Sequence, residues 1–113
     1  MNTWEQMVLG HPIRVQVQKL DKGWDISLAG GMSSHVGAVT LAEPDGTERT
    51  LERPTHKESS VSKAWALRLA AAWNAPVCVR CGIHYDNATP GQLQIIVAAC
   101  EELLETVLRE TEQ

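Results

Sequence analysis

Val77-Cys78-Val79-Arg80-Cys81-Gly82-Ile83-His84-Tyr85-Asp86-Asn87-Ala88-Thr89-Pro90-Gly91-Gln92 decides how this chain is built. Its opening residues, running on from Ala75-Pro76, are the most apolar strand-like run in the sequence and read as a central strand over 76–81. Its last four are a helix start, with Thr at the N-cap, Pro at N1 and Gln at N3. Between them, Gly82 to Thr89 is a strand-to-helix loop carrying His84, Asp86 and Asn87. Rigid scaffolds present functional groups on such loops. Asp and Asn are also ordinary turn formers, so a plain turn accounts for part of this composition. The His is what a plain turn explains least.

Downstream, Leu93, Ile96, Val97, Cys100, Leu103, Leu104 and Val107 recur at spacings of three and four. That predicts an amphipathic helix packed on one face. Glu101, Glu102 and Glu105 fall on its other face, and the tail 110–113 is expected to fray. Upstream, a helix opens near 55–60 and runs to about Asn74. Thr55 and Glu58 have capping-box spacing there, with Ser59 and Ser60 as alternative caps. Val61, Ala64, Trp65, Leu67, Leu69, Ala70, Ala72 and Trp73 wrap most of its circumference. The pattern predicts burial on more than one side, a sheet covering one and a second subunit the other.

The N-terminal half reads as strands. After Pro12, Ile13, Val15 and Val17 alternate with Arg14, Gln16 and Gln18, a period of two. The turn Leu20-Asp21-Lys22-Gly23 leads to a second alternating strand, Trp24 to Ala29, and the short connection implies an antiparallel hairpin. Val36 to Ala42 is a third strand, and Pro44-Asp45-Gly46 a hairpin turn. The fourth strand, Thr47 to Glu52, is charged, which suits a sheet edge. Met1 to His11 is expected to be a loose lead-in. The expected order is β-β-β-β-α-β-α: a single α+β domain over 1–113, mostly antiparallel, both helices on one face, with loose ends at 1–11 and 110–113.

At 113 residues the chain makes one domain with a modest core, which favours association into a homodimer. A formal charge of -4 gives no electrostatic case for nucleic acid or an anionic membrane. No apolar run approaches the roughly 20 residues that span a bilayer, and the N-terminus lacks a signal pattern. The expected compartment is therefore the cytoplasm. Three Cys, an odd count, fit reduced thiols. Cys78 and Cys81 form a C-x-x-C, but within a strand a separation of three puts them on opposite faces, against a zinc or redox site.

Gly30-Gly31-Met32-Ser33-Ser34-His35 breaks the strand pattern. Gly30 and Gly31 permit positive φ, and with Ser33 and Ser34 they can form a nest of N–H groups for a phosphate; the same residues also make an ordinary loop. His35 adds charge beside it. His56 and Lys57 stand at a helix start, where the dipole favours anions. By ligand type, His35, His56, His84 and Asp86 suit either a metal or an anionic ligand. No pair of His has the helical zinc spacing, no Ser lies in a nucleophile elbow and no Cys is clearly activated.

Two segments together, Gly30-Gly31-Met32-Ser33-Ser34-His35-Val36-Gly37-Ala38-Val39 and Gly82-Ile83-His84-Tyr85-Asp86-Asn87-Ala88-Thr89, resemble one family. It is the prenylated-flavin chaperone family, which includes the small third subunit of gallate decarboxylase. Pro54-Thr55-His56-Lys57-Glu58 resembles the family's Pro-Gly-His-Lys segment, with Thr55 replacing its Gly, and Val36 stands where Ile is expected. The likeness covers roughly Ile13 to Leu108. It implies a fold similar to the small proteasome-assembly chaperones and a non-catalytic partner of a UbiD-type decarboxylase that binds prenylated FMN, or FMN. On that resemblance Gly30, Gly31, Ser33 and Ser34 would hold the phosphate. His35, His56, Lys57 and His84 would add charge, and Asp86 and Asn87 would orient His84 or hold polar edges. The alternatives are a metal-binding protein or metal-dependent enzyme built on the His/Asp cluster, and an assembly chaperone with no small ligand.

Overall fold

Among the described residues, five strands run in succession before a helix, a sixth strand and a second helix: β1 (Asn2–Val8), β2 (His11–Leu20), β3 (Gly23–Gly31), β4 (Ser33–Ala42), β5 (Glu48–Glu52), α1 (Ser59–Trp73), β6 (Val77–His84) and α2 (Pro90–Glu110). The computed structural model describes residues 2–54 and 58–113. The strands form one sheet in the order β1-β2-β3-β6-β4-β5. Its architecture is α+β, as the element pattern predicts.

Period-two alternation sets the faces. Ile13, Val15 and Val17 on β2, Ile26 and Leu28 on β3, and Val77, Val79 and Cys81 on β6 are buried, and both helices pack against them in one hydrophobic cluster. Trp24 of β3 stacks on Trp73 of α1 with ring centroids 4.3 Å apart. The polar alternates Arg14, Gln16 and Gln18 are exposed on the other face. One polar pair lies within the core: Thr40 Oγ1 sits 2.8 Å from both Ser62 Oγ and Thr50 Oγ1, so the buried hydroxyls satisfy one another.

The α2 start forms as its sequence dictates. Thr89 Oγ1 accepts from Gln92 N at 3.1 Å, and Gln92 Oε1 accepts from Thr89 N at 2.9 Å. The start of α1 differs from expectation. Glu58 is the N-cap residue, and its side chain makes no cap hydrogen bond. Thr55 lies outside the described residues. Burial on α1 follows a single stripe, Ser62, Trp65, Ala66, Leu69, Ala70 and Trp73, while Ala64 and Ala72 are exposed. Within the single chain only the sheet-facing side is covered, and Ala64 and Ala72 extend the apolar pattern onto the open side.

Three further corrections concern the sheet. Residues 2–8, expected as a loose lead-in, are a full strand paired antiparallel with β2 from Asn2↔Val17 to Val8↔His11. The turn between them is Leu9-Gly10, both at positive φ (50° and 81°), the geometry that matches hairpin twist. At the other end, the last turn of α2 reaches Glu110, and Trp4 Nε1 donates to Glu110 Oε1 at 3.1 Å. The sheet is mixed: β6 inserts between β3 and β4, parallel to the first and antiparallel to the second.

Candidate functional site

The insertion of β6 organises the site. β3 and β4 are joined by Met32 alone, so the chain arches over the C-terminal end of β6. Gly31 pairs with His84 on one side and Ser33 pairs with His84 on the other. Met32 N donates to the His84 carbonyl oxygen at 2.7 Å, closing the arch. Gly31 has φ +78°, and a Cβ there would stand 2.4 Å from the His84 carbonyl oxygen. Only glycine serves at this crossing. The two segments that look distinctive in the sequence therefore meet in space, at one strand end. The predicted loop over 30–35 is corrected in detail: it is two strand ends and a one-residue connection.

Past the arch, β4 bulges. Ser34 pairs with Ile83 and Ala38 with Cys81, so His35, Val36 and Gly37 stand opposite Gly82 alone. The bulge re-aims His35 toward the start of α1, a recognised use of extra residues in a strand. His35 Nε2 lies 2.8 Å from Glu58 Oε1, with both side chains mostly buried. Beside it, His84 Nε2 lies 2.7 Å from Asp86 Oδ1, here with both groups exposed. The two imidazoles meet edge to face, ring centroids 6.3 Å apart. The outcome is two adjacent imidazole–carboxylate pairs, able to donate and accept hydrogen bonds and to carry positive charge when protonated.

Asn87 takes φ 52° and is exposed; it shapes the turn into α2. Asp86 N donates to Met32 Sδ at 3.3 Å, a second tie between arch and loop. Tyr85 donates to the Val8 carbonyl oxygen at 2.7 Å and packs edge-on to His11, which fixes the β1–β2 hairpin to the same end of the sheet. Burial pushes the Tyr85 phenol above its ordinary value, so it stays a donor. His56 and Lys57 lie outside the described residues.

Two recesses border this strand end. On the sheet face away from the helices, a polar recess of about 640 Å³ runs from the arch along β2 and β3, lined by Gly30, Gly31, Ser33 and Ser34 together with Arg14, Gln16 and Ser27. Arg14 is the cation of that lining among the described residues, with its Nε 3.0 Å from Glu5 Oε2. In the sequence Arg14 is one of several polar alternates on a strand; only the sheet order shows that it faces the arch. On the helix side, a recess of about 280 Å³ lies between the starts of α1 and α2, bordered by His84, Glu58, Ile83 and Val97 among others.

Among the described residues, no group of three or more His, Cys, Asp or Glu is placed to hold a metal ion. Cys78 is partly exposed and Cys81 buried, on opposite faces of β6 as the spacing predicts. Burial pushes both thiols up, against a reactive thiolate. No helix among the described residues is long and apolar enough to cross a membrane.

Comparison with known proteins bears on the same elements. The model of the prenylated flavin chaperone LpdD-like domain family matches residues 8–112. A search of curated protein sequences finds no match. Among solved structures, the chain is similar to a chain of a chaperone complex for yeast 20S proteasome assembly, at 15% identity over 95% of this chain and 97% of that one, with a TM-score of 0.55. That likeness is one of fold.

Proposed function

Because the chain belongs to the prenylated flavin chaperone LpdD-like family, we propose that it binds prenylated FMN at the arch over β6 and passes it to a UbiD-type (de)carboxylase, catalysing no reaction itself. The observation that carries this reading is the convergence of Gly31, Ser33 and His84 on one strand end, beside a recess within the usual size range of ligand sites, about 300–1,000 Å³. Backbone N–H groups near the arch, the hydroxyls of Ser33 and Ser34 and the Arg14 guanidinium take the phosphate. Gly30 and Gly31 keep the backbone bare enough for close approach. His35 and His84, with Asp86 orienting the latter and Asn87 shaping the turn, address the polar edge of the ring system; His56 and Lys57 are assigned to the same task from the family resemblance alone.

The test is calorimetric titration with prenylated FMN, FMN and buffer. Tight, prenyl-dependent binding that falls about tenfold or more in Ser33→Ala/Arg14→Ala, as expected for loss of charge-assisted hydrogen bonds, supports the reading. Transfer is then read as activation of an apo-decarboxylase by the loaded protein. Absence of flavin binding by the unaltered protein refutes the reading. We assign the protein to the cytoplasm and to a homodimer on the same footing. On the sheet face away from the helices, Leu41 and Leu51 are 49% and 80% exposed, and Leu51 pairs with Val39 across β4 and β5. A second copy would cover this apolar strip, which light scattering after size exclusion checks.

A further inference from the structure

The helix-side recess holds a feature that the polar recess lacks. Glu58 uses Oε1 on His35, but its Oε2 is buried and has no hydrogen-bond partner among the described residues. The carboxylate is confined there: a Cβ on Gly37 would stand 2.5 Å from Oε2, so the bare Gly37 backbone leaves it room. Around it the walls are apolar, chiefly Val61, Ile83, Leu93, Ile96 and Val97. A buried acceptor left unsatisfied in an apolar recess is costly and calls for a donor.

At about 280 Å³ the recess falls just below the range of sites that hold whole ligands, about 300–1,000 Å³, so it suits part of a molecule. The two recesses lie on opposite faces of the sheet at the same strand end, where His84 borders this one while its sheet neighbours Gly31 and Ser33 line the other. Resting on the flavin reading above, we infer that this recess is the prenyl-recognising subsite: it receives the hydrocarbon ring that prenylation fuses to the flavin, and the Glu58 carboxylate at its edge accepts a hydrogen bond from a flavin ring N–H. The apolar wall thereby separates prenylated FMN from FMN, which has no hydrocarbon ring to place there, while the Glu58 bond serves the N–H that both flavins carry.

Val97 tests the wall. It lies on α2 and is 46% exposed, so Val97→Trp fills the recess without breaking the core. Calorimetry with prenylated FMN and FMN on the unaltered protein, Val97→Trp and Glu58→Gln reads the outcome, with circular dichroism confirming the fold. The expected result for Val97→Trp is a loss of about tenfold or more for prenylated FMN and little change for FMN, the size of effect a few apolar groups produce. Glu58→Gln is expected to weaken both flavins by about tenfold, as for loss of a hydrogen bond to a charged acceptor. Unchanged prenylated-FMN affinity in Val97→Trp, or equal losses for both flavins in that variant, overturns the subsite and leaves the flavin reading standing. No binding of either flavin by the unaltered protein removes both.

Discussion

Gly82→Ala is the sharpest test of the bulged β4–β6 pairing. A Cβ at position 82 would stand 1.6 Å from the His35 carbonyl oxygen and 2.4 Å from the His35 carbonyl carbon. Both atoms are backbone, so no side-chain rotation relieves the overlap. Either the bulge over His35, Val36 and Gly37 shifts outward or β6 does. Overpacking a core typically costs about 1–3 kcal/mol, and a clash between backbones belongs at the top of that range or above it. Against a total stability of about 5–15 kcal/mol, this is a large fraction. With about 3–5 °C of melting temperature per kcal/mol for a chain of this size, the expected fall is about 10–15 °C. Thermal and urea unfolding followed by circular dichroism measure it. Gly91→Ala is the matched control: it lies in the first turn of α2, its added Cβ meets nothing nearer than 4.0 Å, and it should be neutral or stabilising by up to about 1 kcal/mol. A fall below about 2 °C for Gly82→Ala would refute the close approach of β4 and β6, and with it the placement of His35 against Glu58.

Other substitutions separate structural from ligand-facing groups. Thr89→Ala removes the cap of α2 and should cost about 1 kcal/mol by urea unfolding, with Thr89→Ser recovering most of it. His84→Ala breaks an exposed pair with Asp86, so stability should change by less than about 1 kcal/mol while flavin affinity falls; equal losses in both would contradict an exposed pair. Burial pushes the Cys100 thiol from 9.0 up to about 12. The unfolded chain releases that proton first, so this thiol's contribution to stability is full below about pH 9 and declines by about 1.4 kcal/mol per pH unit between pH 9 and 12. Urea midpoints at pH 8, 10 and 11 should fall, and less steeply in Cys100→Ala. Tyr85→Phe should loosen β1, since the phenol holds the Val8 carbonyl; faster amide exchange over residues 2–8 is the expected signature.

The parts of the fold legible in the sequence are those with local causes. Alternation at Ile13, Val15 and Val17, the cap at Thr89 to Gln92 and the charged edge at Glu48 to Glu52 each carry their own physics, and the structure bears them out. β1 was not legible because its turn breaks the local rule. Leu9-Gly10 places a leucine at positive φ where Asn or Asp is the usual signal, and Trp4, Gln6 and Val8 alternate too weakly to announce a strand. What holds β1 is remote: Tyr85, Glu102 and Glu110 bond to Val8, Gln6 and Trp4. The place of β6 was likewise hidden, since strands joined by one residue read as neighbours, and nothing local says that a strand beginning at Val77 enters between them.

The candidate site shows the same division more sharply. His35, His84 and the glycines stand out by residue type, and the resemblance grouped their two segments. Glu58 did not stand out, because its spacing from Thr55 offered a sufficient local role as a capping partner. The structure gives that carboxylate other contacts: Oε1 faces His35 across the sheet–helix junction and Oε2 is buried against the Gly37 backbone. A residue with a plausible local explanation is the one a sequence reading is least able to question, since long-range contacts are what would reveal the conflict. Gly37 follows from this. Its missing side chain is not required by any unusual φ, only by the carboxylate beside it. Gly37→Ala should therefore displace Glu58 rather than strain the backbone. A modest stability change paired with a loss of prenylated-FMN affinity matching that of Glu58→Gln is the expected result. A large stability loss with affinity unchanged would mean that Gly37 serves the bulge alone.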